Sequence, residues 1–583
     1  MTSPIVGIRI LTGFGDRGLG RRLMLGFAAL PLVIVVILVA IIVWVSVAVR
    51  MEAGLAGPFT LKHYAALFTD PLIIQVVLNT LIFAVVTVIT AMTFGVAAAW
   101  LVERTDIPGK KAVYALMTIG LLFPTFFQAM GWMFFLHPRI GMFNRWLMQT
   151  LHLTESPFSI ANVYGMGWVE GLGLASLAFV MTSPVLRAMN PDLEDAARVH
   201  GLGRWSCATR IVMPLIWPGL VAAAIYMAVI ATATFEVPAV IGLGSKILTF
   251  STLVYISVSP EMGVPNYGIV GAMSVLMIAL SMAMSWWYFR VIRLSDRYAV
   301  VQGRGYRPRL IRLGRLRWVG WLVLGSYFVL AKLLPFLMMV WAALLPYFQP
   351  FSLRALKQVT LRNFEQIPID LLVRGAANTF ILMLTVPTAA LVLGLMISWI
   401  VVRSGLRSRF VFDWIAFLPH AVPSLVFAIA AVVLALFVLP KGFPLYGTIF
   451  IVMAVYILVR ISLTTRVLNG AILQIHRELE EAAYVSGMRM LSTMRKILLP
   501  LLMPALINLW LWNALLTFRE LTMAAFLVTQ DNITLPVVIW GVWHTGSLGQ
   551  AAAASLVFVA MFLPVVVIYW MFGTRAAEHT VHG

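Results

Sequence analysis

Long apolar runs recur near residues 25–48, 74–101, 112–136, 161–186, 214–242 and 266–289. After a basic stretch they resume near 318–346, 375–402, 413–438, 444–470, 501–528 and 552–572. A helix needs roughly 20 apolar residues to cross about 30 Å of hydrocarbon, and these runs meet that length. In lipid the backbone has no water to bond, so a helix that satisfies its own N–H and C=O groups is the economical conformation even where Val and Ile are dense. The pattern predicts an all-α polytopic membrane protein of about twelve transmembrane helices, six on each side of about residue 305.

Between the runs stand two polar segments that are copies of one another. Asp192 to Pro218 reads DLEDAARVHGLGRWSCATRIVMPLIWP, and Glu478 to Pro504 reads ELEEAAYVSGMRMLSTMRKILLPLLMP. They align without a gap at an offset of 286: Glu194, Ala196, Ala197, Gly201, Ile211, Pro214 and Pro218 recur as Glu480, Ala482, Ala483, Gly487, Ile497, Pro500 and Pro504. At an offset of 299, Asn79-Thr80, Trp100, Arg104 and Pro124 match Asn378-Thr379, Trp399, Arg403 and Pro423. The shared offsets describe a parallel duplication of two six-span units, 1–304 and 305–583.

Composition and charge sharpen this reading. Of 583 residues 61% are hydrophobic and 11% charged, against about 45–50% and about 25% in soluble domains. The net charge of +20 would suggest nucleic acid in a soluble chain. With the N-terminus placed in the cytoplasm, the inner segments carry 30 Lys and Arg and the outer segments 10, so the positive-inside rule accounts for the excess. That bias predicts a multi-pass membrane protein with both termini and both twins on the cytoplasmic face. The linker 290–317, with nine arginines, is expected against anionic lipid headgroups rather than nucleic acid. The lone Cys207 excludes an internal disulfide, and the first apolar run is too long for a signal-peptide core, so it reads as a retained span.

Each twin predicts a short amphipathic helix followed by a stop. Asn190 can cap the first, Pro191 suits its first position, and Asp192, Glu194 and Asp195 favour its positive end. Leu193, Ala197 and His200 form one stripe, repeated by Leu479, Ala483 and Ser486, and Gly201 and Gly487 end the helices. A second helical stretch then leads to Pro214 or Pro500, where the next span starts. Amphipathic helices that merely lie on headgroups usually show Lys- and Arg-rich faces with bulky apolar residues, whereas these open with acids and show alanine.

The twins resemble the EAA loop of bacterial ABC importer permeases, E-A-A, three residues, G, nine residues, I-x-L-P. Glu481, Ala482, Ala483, Gly487, Ile497, Leu499 and Pro500 match every position; Asp195, Ala196, Ala197, Gly201, Ile211, Met213 and Pro214 depart at two, Asp for Glu and Met for Leu. The resemblance implies two tandem type I importer halves fused in one chain, with each loop serving as a coupling helix. Glu194, Asp195, Ala196, Ala197 and Gly201, and Glu480, Glu481, Ala482, Ala483 and Gly487, would then contact an ATPase. Asp195 and Glu481 would face its basic groups and the alanines would fill its groove. The implied partners are two copies of an ABC ATPase, which would bind the ATP and magnesium, a periplasmic substrate-binding protein, and membrane lipid. Fusion, with Trp100–Lys111 and Phe135–Asn144, most resembles the iron(III) transport permeases; thiamine, aminoethylphosphonate or polyamine transport shares the architecture.

No G-x-x-x-x-G-K-[ST] phosphate loop occurs, so this chain is not expected to hydrolyse ATP by that mechanism. The nine histidines form no ligand pattern, and His420, between Pro419 and Pro423, reads as a packed side chain rather than a metal ligand. Charges at membrane depth are costly and therefore informative. Glu236 and Glu520 lie about 20 residues beyond the first loop prolines, Arg519 adjoins Glu520, Glu170 falls in the fourth run and Lys332 in the seventh. They either face the translocation pathway or pin helices together as internal pairs. A secondary transporter would need an ion relay and a membrane enzyme a clustered polar site; the sequence offers neither.

Overall fold

A computed structural model describes residues 18–48, 59–187, 196–197, 199–259, 265–295, 310–440, 442, 444–488 and 490–582. Within these the chain is helical with no strand, and ten helices are long and apolar enough to cross a membrane, twelve if each of two bent pairs counts as one span. The first half comprises α1 (Gly18–Val47), α2 (Pro71–Arg104), the bent pair α3 (Lys110–Leu122) and α4 (Thr125–Leu136), α5 (Val163–Arg187), α6 (Met213–Ala233), the short α7 (Phe250–Val258) and α8 (Tyr267–Ser295). The second repeats the order: α9 (Arg317–Phe328) continuing through a π-turn into α10 (Leu334–Ala343), α11 (Ile369–Arg403), the bent pair α12 (Arg409–Ala421) and α13 (Ser424–Val433), α14 (Ile449–Gln474), α15 (Glu478–Val485), α16 (Leu499–Phe518), the short α17 (Leu535–His544) and α18 (Leu548–His582).

Two expected spans need correction. The runs 112–136 and 413–438 do not cross straight; they bend by 94° and 100°. Pro124 and Pro423 sit at the breaks as N-caps of α4 and α13, where a residue with no N–H and a fixed φ restarts the helix in a new direction. The runs 214–242 and 501–528 likewise end early, at Ala233 and Phe518, ahead of Glu236 and at Arg519. Arg460 lies inside α14.

The repeat holds in backbone detail. Residues 208–212 and 494–498 are both π-helical, and Pro214 and Pro500 stand in the first turn of the α-helices that follow. A proline removes one ladder donor and its ring crowds the carbonyl four residues back, which favours the wider i→i+5 turn there. The Asn-Thr pairs acquire a structural role. Asn79 and Asn378 donate to the carbonyls of Leu248 and Ile533 at 3.0 and 2.9 Å. Thr80 and Thr379 hydroxyls accept from the N–H groups of Phe250 and Leu535, both at 2.9 Å. These groups open α7 and α17, so the second span of each half latches a short helix at its N-terminus. Thr80→Val and Thr379→Val are each expected to cost about 1 kcal/mol and, having no hydrogen-bond partner in common, to add in the double variant; thermal unfolding in detergent reads this, and a sub-additive double would count against independent latches.

The halves are not side by side in space. α1 packs on α8 of its own half but also on α12 and α13 of the other. α10 packs on α18 of its own half and on α4 of the other, so closely that any side chain at Gly131 would collide with the backbone of Pro335. Each half therefore lends its first span to its partner. On the side that carries the twins, Arg317 at the start of α9 pairs with Asp106 after α2 at 2.5 Å, and the Leu313 N–H bonds the same carboxylate at 2.9 Å. The arginine holds the Asp106 carboxyl below its ordinary pKa. Residues 296–309, half of the arginine-rich linker, lie outside the described residues.

Candidate coupling surface and membrane charge cluster

The second twin forms α15, whose first turn carries Glu478, Glu480 and Glu481 where the helix dipole favours negative charge. Gly487 ends it at φ +77°, and the Met488 N–H reaches back to the Ala483 carbonyl at 3.0 Å. In the first twin Gly201 stands at φ +81° and the Leu202 N–H reaches the Ala197 carbonyl, again at 3.0 Å. Both are six-to-one closures that require a left-handed residue, which is why glycine occupies both positions. Glu194 and Asp195 lie outside the described residues.

The four alanines of the twins divide by exposure. Ala196 and Ala482 are exposed, but Ala197 and Ala483 are buried against their own chain. Adjacent residues on a helix point about 100° apart, so one alanine of each pair must turn inward. Glu480 also faces inward. Its Oε1 lies 2.9 Å from Arg403 Nε at the end of α11, while Glu481 stays exposed. Burial raises the Glu480 carboxyl pKa, against the pull of Arg403 and Arg477. The outward face instead carries a residue that the twin alignment held but the alanine pattern obscured. Val199 is 86% exposed and Val485, its counterpart at offset 286, 89%. An isolated exposed valine is ordinary; the same one at the same place in both twins marks a surface.

The intramembrane charges gather between the halves. Glu236 Oε2 accepts from the Thr125 hydroxyl at 2.5 Å and the Phe126 N–H at 3.2 Å, at the start of α4. Glu520 Oε2 pairs with Arg460 Nη2 at 2.9 Å, both largely shielded, and its Oε1 accepts from the Met523 N–H at 3.2 Å. Arg519 crosses the interface and donates to the carbonyls of Leu121 and Phe123, at 3.1 and 3.4 Å, which the α3–α4 bend leaves without helical donors. Lys332 donates to the neighbouring Gly120 carbonyl at 2.9 Å. Glu170 accepts from the Thr234 hydroxyl at 3.3 Å, and Arg519 lies within electrostatic range of Glu170, Glu236, Lys332 and Arg460. Glu236, Arg519 and Glu520 are thus brought together. Arg460, which completes the pair with Glu520, lies within the run 444–470, where its depth could have marked it. His420 stacks on Tyr226 with centroids 5.4 Å apart, a packing role. Among the described residues no three His, Cys, Asp or Glu gather as metal ligands.

The family model for the binding-protein-dependent transport system inner membrane component matches twice, over residues 91–295 and 390–577, each match enclosing one twin. The chain belongs to this family. It is a fused, multi-pass inner-membrane permease of the ABC importer type, a transport protein rather than an enzyme. It is similar to the ferric transport system permease protein FbpB of Actinobacillus pleuropneumoniae, 22% identical over 93% of this chain and 77% of that one. It is also similar to the diacetylchitobiose uptake system permease protein NgcG of Streptomyces coelicolor, 27% identical over 33% of this chain and 60% of that one. A third relative is the sulfoquinovosyl glycerol transport system permease protein SmoG of Agrobacterium fabrum, 27% identical over 48% of this chain and 92% of that one. The latter two correspond to parts of this permease; the ferric permease follows it almost end to end.

Proposed function

We propose that this permease forms the membrane pathway of a ferric iron importer, working by alternating access. The observation that carries the substrate is coverage: the ferric permease aligns over 93% of the chain, both halves included. The sugar-related relatives align over less than half of it. A periplasmic binding protein would deliver the iron to the outer face. Two copies of one ATPase, holding ATP and magnesium, would dock on the cytoplasmic side, one at each twin. The near-identity of the outward residues, Ala196 with Ala482 and Val199 with Val485, supports two equal sockets. Both termini would then be cytoplasmic, and the halves would divide near residue 305.

In this cycle the permease performs no bond chemistry. ATP binding closes the ATPase pair, the twins move with it, and the balance between inward and outward conformations shifts by differential binding. Glu236, Arg519 and Glu520 would lie where the halves part and would be exposed to water or substrate when they do. Proteoliposomes holding permease, ATPase and the binding protein loaded with radioactive ferric iron are expected to accumulate iron on ATP addition. Ferric-loaded binding protein that neither raises ATP hydrolysis nor delivers iron, where sulfate- or oligosaccharide-loaded counterparts do, would refute the substrate and leave the transporter type standing.

A further inference from the structure

Arg403 holds three elements together. It closes α11, and its Nη2 donates to the carbonyls of Ile472 and Ile475 at 2.9 and 2.6 Å at the end of α14, where the Ile472 carbonyl also accepts the Ile475 N–H at 3.2 Å. Its Nε stands 2.9 Å from Glu480 Oε1 on α15, an ion pair without hydrogen-bond alignment, with the two side chains only 6% and 10% exposed. A second strut runs back from α15's side: Arg477 Nη2 donates to the Val402 carbonyl at 3.2 Å. Beneath these groups Val402, Leu468, Ile472, Leu502, Leu506 and Leu509 close an apolar cluster between α11, α14 and α16.

A three-residue connection, 475–477, separates α14 from α15, and by itself it leaves α15 free to swing. A guanidinium is flat and rigid, so the two carbonyl bonds at Nη2 fix where it stands, and the buried ion pair at Nε draws Glu480 to that place. We propose that Arg403 and Glu480 form a positioning joint that makes α15 one rigid body with the adjoining ends of α11 and α14. A push on α15 then turns two membrane helices instead of flexing the connection. This rests on the reading of α15 as an ATPase-docking element. Arg104, buried at the corresponding end of α2, occupies the same position in the first half.

The test uses the full-length permease with its cognate ATPase in nanodiscs, in a Cys207→Ala background, with nitroxide labels at Val392→Cys on α11 and Ser486→Cys after α15. The spin–spin distance is expected to be single, narrow and the same without nucleotide and with ATP plus vanadate. Glu480→Gln and Arg403→Gln are each expected to lose that narrow distribution, and the exchanged pair Arg403→Glu with Glu480→Arg to recover it. A wild-type distance that shifts with nucleotide, or an unchanged narrow distance in both glutamine variants, overturns the joint. Retention of the ATPase is scored in the same samples. If the wild type retains none, the docking reading fails, and the nucleotide-free distributions of wild type and variants still decide the joint.

Discussion

Arg519→Leu is expected to destabilise the permease by on the order of 3–5 kcal/mol and to abolish uptake. The arginine is the one described side chain in the cluster that bonds across the half interface to the carbonyls of Leu121 and Phe123 while standing near two buried acids, Glu170 and Glu236. Leucine fills the volume but leaves those carbonyls without a donor and the acids without their nearest cation. Each loss falls in a region where water cannot compensate. Arg519→Lys keeps the charge but offers a point donor in place of a fork, so an intermediate loss is expected. Glu236→Gln separates stability from transport: an amide oxygen can still accept from Thr125 and Phe126. Near-normal melting with reduced uptake would place this carboxylate in the pathway; normal melting and normal uptake would leave it a structural pin. Thermal unfolding by tryptophan fluorescence, read beside uptake, checks the series, and an Arg519→Leu permease that melts like the wild type contradicts it.

Val485→Lys is expected to release the ATPase without harming the fold. Burying a valine in a partner's socket contributes about 1.5–3 kcal/mol, and each 1.4 kcal/mol is about tenfold in affinity, so losing the contact weakens docking at that site about 10- to 100-fold. A lysine adds repulsion if the socket is basic, as the exposed Glu481 beside it suggests. Val199→Lys should act alike at the other site, and the double variant should lose co-purification altogether. Both side chains are exposed, so melting should not change. Ala483→Leu is the opposite case: its position is closed by its own chain, so overpacking of about 1–3 kcal/mol should lower the melting temperature. If Val485→Lys retains the ATPase and Ala483→Leu loses it without melting earlier, the outward face has been assigned to the wrong side of α15.

Periodicity and repetition made most of the architecture legible. Apolar runs long enough to span gave the helices, and the 286-residue offset gave the twins, down to matching π-turns ahead of Pro214 and Pro500. The Asn-Thr matches marked the repeat without disclosing their work, because a latch on a helix start depends on residues about 170 and 155 positions away. Hydropathy could not show the bends at Pro124 and Pro423, since a bent pair has the same composition as a straight span. Nor could a motif tell which alanine faces out. That is decided by helix phase against α11 and α14, and the same phase turned Glu480 inward to Arg403.

The lending of first spans between halves bears on how the protein is made. At roughly 5–20 residues per second, α1 leaves the ribosome about 20–80 s before α12 and α13, the neighbours against which it finally rests. During that interval one flank of α1 must be held by lipid or by the insertion machinery. A newborn first half also carries a vacant berth on α4 that α10 of any chain could fill, a second molecule's included. Covalent continuity makes the proper tenant the nearest one, and so guards nascent permeases in a crowded membrane against pairing with one another.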